Sequence, residues 1–318
     1  MSSIKPGRIL AGAGILAVTT VGGWLAYSRY GVDHNVPLPN AVDAPRSEFS
    51  SERAGRLSYY VDSSGNGTPL LLIHSINAAP SAFEMKPLFQ AYRGQRPVIA
   101  VDLPGFGFSE RTDRVYRPDL YVAAILDLVD REIGQPVDAV ALSLGCEFLA
   151  TAALRRPQHF RSLAFLSPTG LGRTSTAPSS EAAYQFFATP LWSQAFYDLL
   201  VTRPSMRFFL NQTFVGDVPP EFLTYSYQTS HQPGARYAPL YFISGQLFTP
   251  DILTEVYARL PQPVLALYGY DPNVTFDQLP QLLEQRANWQ AVQTTTRLPH
   301  WEQLAETVQA LDAFWADP

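Results

Sequence analysis

Residues 137–156 read VDAVALSLGCEFLATAALRR: an apolar run, a serine between leucines, a glycine, then a helical pattern. The run Val137–Leu142 is short and rich in β-formers, as expected of a strand buried on both faces. The stretch from Cys146 onward places Phe148, Leu149, Ala152 and Ala153 at helical spacing. Between them, Ala141-Leu142-Ser143-Leu144-Gly145 sets small residues two before and two after the serine. A strand, a sharp turn and a helix with that spacing present a serine hydroxyl on a strained backbone, which is the arrangement a nucleophile requires. The usual first glycine of such a turn is Ala141 here.

Outward from this turn, short apolar runs alternate with helical patterns. Strands are expected at about 57–61, 69–74, 97–102, 137–142, 162–167, 263–268 and 291–297, and helices at about 119–133, 146–156, 276–287 and 301–316. The alternation predicts an α/β fold: a mostly parallel sheet with helices on both faces. It breaks once, between 171 and 260, where aromatic-rich helical patches carry no strand alternation and read as an insertion. Length fits one catalytic domain, 53–318, with that insertion as a cap.

Two further motifs follow strands. Pro69-Leu70-Leu71-Leu72-Ile73-His74 ends in histidine, and Asp102-Leu103-Pro104-Gly105-Phe106-Gly107-Phe108-Ser109 follows the next strand. With the serine turn, these resemble the α/β-hydrolase superfamily, in its capped, serine-nucleophile branch, over about residues 55–316. The resemblance implies an α/β-hydrolase fold, with Ser143 as nucleophile and the backbone N–H groups of Ile76 and Leu144 as the oxyanion hole. Where the family has glycine after the histidine, this chain has Ser75.

A serine hydroxyl needs a base near neutral pH. Of the five histidines, His34 lies in a linker, His74 in the oxyanion loop, His159 in a polar turn and His231 in the insertion. His300, in Leu298-Pro299-His300-Trp301-Glu302, stands before the terminal helix, where the family places its catalytic histidine. The resemblance also implies an acid after the penultimate strand, which Asp271 supplies, two residues after Gly269 instead of the usual three. The order Ser143, Asp271, His300 is that of this superfamily.

The implied activity is a serine hydrolase working through a Ser-His-Asp triad and an acyl-enzyme, on a small, hydrophobic ester-like substrate. Aromatic residues of the insertion, among them Tyr184, Phe186, Phe187, Trp192, Phe196, Tyr197, Phe208 and Phe209, either line such a pocket or pack the cap onto the core. Amide, thioester and carbon–carbon bond cleavage, haloperoxidase chemistry, and a non-catalytic membrane-anchored binding module stay open.

Composition excludes other classes. The formal charge of -5 and the absence of a Lys/Arg run argue against a nucleic-acid partner. Cys146 is the single cysteine, so no intramolecular disulfide or cysteine metal cluster is possible. No dinucleotide fingerprint, phosphate loop or zinc motif occurs, so no cofactor or metal is expected.

Ile9–Tyr27 carries no charge over 19 residues, with Lys5 and Arg8 before it and Arg29 after it. That length suits a membrane-crossing helix. Residues 1–30 are therefore expected to be an N-terminal transmembrane anchor, with 31–52 as linker and the catalytic domain extracytoplasmic; a cleaved secretory signal is the alternative.

Overall fold

The computed structural model describes residues 22–173, 179–271 and 274–316. In chain order these form α1 (22–30), β1 (Arg46–Ser51), β2 (Gly55–Asp62), β3 (Leu70–Ile73), α2 (Lys86–Tyr92), β4 (Val98–Asp102), α3 (Pro118–Leu128), β5 (Val137–Leu142), α4 (Gly145–Arg155) and β6 (Phe160–Leu166). The inserted region then supplies α5 (Glu181–Phe187), α6 (Ser193–Leu200), α7 (Arg203–Thr213), α8 (Pro220–Ser230), α9 (Tyr237–Ile243) and α10 (Ile252–Glu255). The chain returns through β7 (Val264–Tyr268), α11 (Leu279–Gln285), β8 (Trp289–Gln293), α12 (Pro299–Glu302) and α13 (Leu304–Ala316).

The sheet has eight strands in the order β1-β2-β4-β3-β5-β6-β7-β8. β1 and β2 pair antiparallel, as do β2 and β4; every other pairing is parallel. This is the α/β-hydrolase fold with a helical cap between β6 and β7. Strand side chains alternate faces, and the core divides accordingly. Leu71, Ile73, Ala139, Ala141, Leu163 and Phe165 join the cluster around Tyr121 and Phe148, while Leu70, Leu72, Val140, Leu142, Ala164 and Leu166 join the one around Phe89 and Phe314.

Several elements differ from the sequence expectation. β1 falls in the stretch read as a linker: RSEFSS is polar because an edge strand exposes most of one face, and only Phe49 and Ser51 are buried there. β8 starts two residues earlier than expected and stops at Gln293, since Thr294–Arg297 turns away toward α12. The expected helix 301–316 is broken at Gln303 into α12 and α13. The expected helix 276–287 shortens to α11.

Most of Ile9–Tyr27, including residues 9–21, lies outside the described residues. Among those described, no helix is long and apolar enough to cross a membrane. The part that is described, α1, lies on the cap: Trp24 Nε1 donates to the Ala195 carbonyl at 2.9 Å, and Ser28 Oγ to Asp198 Oδ2 at 2.5 Å. The following segment continues across the cap, with Val36 N–H donating to the His231 carbonyl and Tyr225 Oη to that of Pro39.

Candidate active site

Ser143 stands between β5 and α4 with φ of 53°, a left-handed conformation that costs a side-chain-bearing residue energy. The turn is held by its own N–H, which donates to the Leu166 carbonyl at 2.8 Å. Gly145 is required: a Cβ there would stand 2.5 Å from the His74 carbonyl oxygen. The elbow and the His74 loop are thus in backbone contact. Ala141, in the place of the usual glycine, is fully buried in the sheet. The Cys146 thiol caps the same corner by donating to the Ala141 carbonyl at 3.2 Å.

His74 fixes the second loop. Its Nδ1 donates to the Ser75 carbonyl at 2.6 Å, and its Nε2 accepts the Leu103 N–H at 3.0 Å. Those partners require a neutral ring, and burial lowers its pKa to about 4. The Asp102 motif is structural, as a tight loop should be. The Asp102 carboxylate accepts the N–H groups of Ala82 and Phe108 at 2.9 Å each, and a Cβ on Gly107 would sit 1.9 Å from it.

Neither the Ile76 nor the Leu144 N–H donates a hydrogen bond among the described residues. Both stay available to a ligand oxygen, and the Leu144 group opens helix α4, where the helix dipole favours negative charge.

Around these loops the sequence reading missed Glu84 and Arg297. Glu84 Oε2 accepts the Ser75 N–H at 2.8 Å, and Oε1 accepts Ser75 Oγ at 3.0 Å and Asn77 Nδ2 at 2.8 Å. Burial raises its pKa, while the donors of Ser75 and Asn77 and the charge of Arg297 oppose that rise. A signal was present: Ser81-Ala82-Phe83-Glu84 has the S-x-x-E spacing of a capping box. Ser81 does cap the turn, accepting Phe83 N–H, but the glutamate is diverted to Ser75.

His300 is fully buried, 0% exposed. Its Nε2 donates to the Glu84 carbonyl at 2.9 Å, the same oxygen that accepts Trp301 Nε1 at 2.7 Å. His300 Nδ1 makes no hydrogen bond. Burial lowers the pKa of this ring to about 4, so it is neutral at physiological pH. Asp271, 7% exposed, follows β7 and forms an ion pair with Arg297, Nε to Oδ2, at 2.8 Å. The structure therefore buries all three expected residues, and joins neither Ser143 nor Asp271 to His300 by a hydrogen bond. A working triad needs the His300 ring to leave the Glu84 carbonyl and present Nε2 to Ser143.

The cap aromatics mostly take the packing role. Phe187 stacks on Phe196 and Tyr184 packs tilted against Tyr241, while Phe186 (61%), Phe208 (61%) and Phe209 (53%) face outward. Tyr197 reaches the oxyanion loop, its hydroxyl donating to the Ala78 carbonyl at 2.8 Å. A surface groove of about 960 Å³ lies between residues 39–45, α2 and α8, away from Ser143. Among the described residues, no cluster of three His, Cys, Asp or Glu side chains could hold a metal.

Comparison with known proteins agrees with this architecture. The 2-hydroxymuconate semialdehyde hydrolase of Pseudomonas putida is 27% identical over 247 residues, covering 76% of this chain and 83% of that protein. The 2-(acetamidomethylene)succinate hydrolase of Mesorhizobium japonicum is 29% identical over 144 residues, 45% of this chain and 51% of its own. Among solved structures, the 2-hydroxy-6-oxo-6-phenylhexa-2,4-dienoate hydrolase of a Rhodococcus strain superposes with a TM-score of 0.68 at 18% identity, over 86% of this chain and 99% of that one. A sequence profile described as the Alpha/beta hydrolase family matches residues 70–310, and with the elbow, sheet order and cap in place the chain belongs to that family.

Proposed function

We propose that this hydrolase attacks a carbonyl carbon with Ser143, using His300 as general base, Asp271 to orient and charge-balance the imidazole, and the N–H groups of Ile76 and Leu144 to receive the oxyanion. The observation that carries this reading is the φ of 53° at Ser143, strain held at the junction of β5 and α4 with an undonated N–H beside it. Attack moves the serine proton to His300 and gives a tetrahedral oxyanion. Its collapse breaks the bond to the leaving group, which takes that proton, and water activated by the same histidine then releases the acid from the acyl-enzyme.

An ester is the simplest substrate for this machinery. The outward-facing Phe186, Phe208 and Phe209 give no support to a long acyl pocket, which favours a compact ester. A second reading comes from the Pseudomonas putida relative. Its named substrate, 2-hydroxymuconate semialdehyde, contains no ester or amide, so hydrolysis there breaks a carbon–carbon bond. Purified enzyme should be assayed on p-nitrophenyl esters from acetate to decanoate and on 2-hydroxymuconate semialdehyde. Turnover of either that vanishes in Ser143→Ala supports the reading; no turnover of any, with no fluorophosphonate adduct on Ser143, would refute it.

Location rests on sequence. The uncharged run from Ile9, with Lys5 and Arg8 before it, supports membrane attachment with the catalytic domain outside the cytoplasm. Full-length chain in the carbonate-washed membrane fraction, released on deletion of residues 2–21, is the expected result.

A further inference from the structure

One departure from the family motif, Ser75 for the usual glycine, and Asn77 two residues on meet at one side chain. Glu84 takes a donor from each: the Ser75 N–H and hydroxyl and the Asn77 amide all converge on its carboxylate, which is only 6% exposed. Asn77 in turn accepts the Ala79 N–H at 2.8 Å. The single-turn helix carrying Glu84 is itself pinned, by Ser81 at its start and by the Asp102 carboxylate on the Ala82 N–H. The main-chain carbonyl of Glu84 holds His300 and Trp301. One residue therefore touches the oxyanion loop with its side chain and the general base with its backbone.

We propose that Glu84 is the positioning residue of this active site: its carboxylate locks the bend at Ser75 that leaves the Ile76 N–H undonated, in place of the chain freedom a glycine provides. The inference rests on the proposed function and names what shapes that site in this chain. The reason a carboxylate suits the task is its capacity. Three donors approach from one side, and a carboxylate accepts all of them without offering a proton in return. An amide in the same place turns at least one N–H toward the Ser75 N–H, or toward the Ser75 hydroxyl and the Asn77 amide, which already bond each other at 2.8 Å. The bend then shifts, and the Ile76 N–H leaves the line it needs.

The test is Glu84→Gln, assayed on whichever substrate the wild type turns over. Loss of one oxyanion donor costs about 100- to 1000-fold in kcat, and a displaced donor should cost about 10- to 100-fold, with KM within about threefold. A boronate mimic of the tetrahedral intermediate should weaken in parallel with kcat. The double variant Glu84→Gln with Asn77→Asp exchanges donor and acceptor across the contact and should recover most of the lost kcat. A lowered melting temperature with kcat unchanged, or a double variant no better than Glu84→Gln, would overturn the proposal and leave Glu84 a packing residue. Amide hydrogen exchange at Ser75 and Ile76 reads the loop without any turnover. Faster exchange in Glu84→Gln is expected even from a wild type inert toward every substrate, and unchanged exchange counts against the inference while leaving the proposed function standing.

Discussion

The Nε2 proton of His300 rests on the main-chain oxygen of Glu84, 2.9 Å away, in a pocket that leaves the ring no solvent. Burial disfavours the imidazolium, and the pKa falls to about 4. A general base acts only when unprotonated. The acid limb of kcat/KM is accordingly expected near pH 4, with a plateau from about pH 5 upward, instead of the fall near 6.5 of an exposed histidine. Initial rates after brief exposure to each pH measure it. A limb near 6.5 would mean that the free enzyme's His300 ring does not rest in the buried place on the Glu84 carbonyl.

The strain at Ser143 separates function from stability. A Cβ at φ of 53° is unfavourable, and glycine relieves it. Ser143→Gly and Ser143→Ala should both be inactive, yet the glycine variant should be the more stable of the two by about 1 kcal/mol in urea denaturation. Equal stability of the two would show that the elbow stores no strain.

How much of this was legible in the sequence depends on which residues carry their own signal. The buried parallel strands did, because a strand covered on both faces is a continuous apolar run: Val137–Leu142 and Val264–Tyr268 were readable for that reason. β1 was not, since an edge strand of Arg, Ser and Glu resembles a linker. At the site, Ser143, His300 and Asp271 were expected from motif and chain order, and the structure buries all three. The partners that now hold His300 and Asp271, the Glu84 carbonyl and the Arg297 guanidinium, were invisible. A main-chain acceptor has no sequence signature, and an ion pair between residues 26 positions apart in chain is set by where β7 and the turn before α12 meet.

Glu147, on α4 one turn beyond the elbow, gives a stability prediction. Its carboxyl accepts Thr169 Oγ1 at 2.5 Å and the Thr249 N–H at 2.8 Å, and burial raises its pKa from 4.5 to about 7. The folded state thus holds a proton that the unfolded state has released between about pH 4.5 and 7, so this group's contribution to stability is full below pH 4.5 and is lost as pH rises through 7. Glu147→Gln carries no such penalty. Relative to wild type it should gain stability between pH 5 and pH 8.5, by up to about 3 kcal/mol from a shift of that size. A difference between the two proteins that is flat across that range would contradict the assigned protonation.

Asp198 on α6 fastens the N-terminal segment to the cap. Only 2% exposed, it takes Ser28 Oγ at 2.5 Å, His34 Nε2 at 2.9 Å and Gln194 Nε2 at 2.8 Å, while Trp24 bonds one turn away and Gln232 Nε2 reaches the Val36 carbonyl at 2.6 Å. Asp198→Ala strips an acceptor from three side chains at once, and Ser28 at least is buried. The expected cost is about 1–3 kcal/mol, because partners left unsatisfied cost more than the bonds contribute net. Amide exchange across residues 28–38 should quicken well beyond the global change, since these contacts, and not the sheet, hold that stretch. The same variant asks whether the cap moves with its strap: Tyr197, its neighbour on α6, bonds to Ala78 of the oxyanion loop. A raised KM with kcat preserved is expected if the strap steadies the cap over Ser143, whereas faster exchange alone would confine its role to the N-terminal segment.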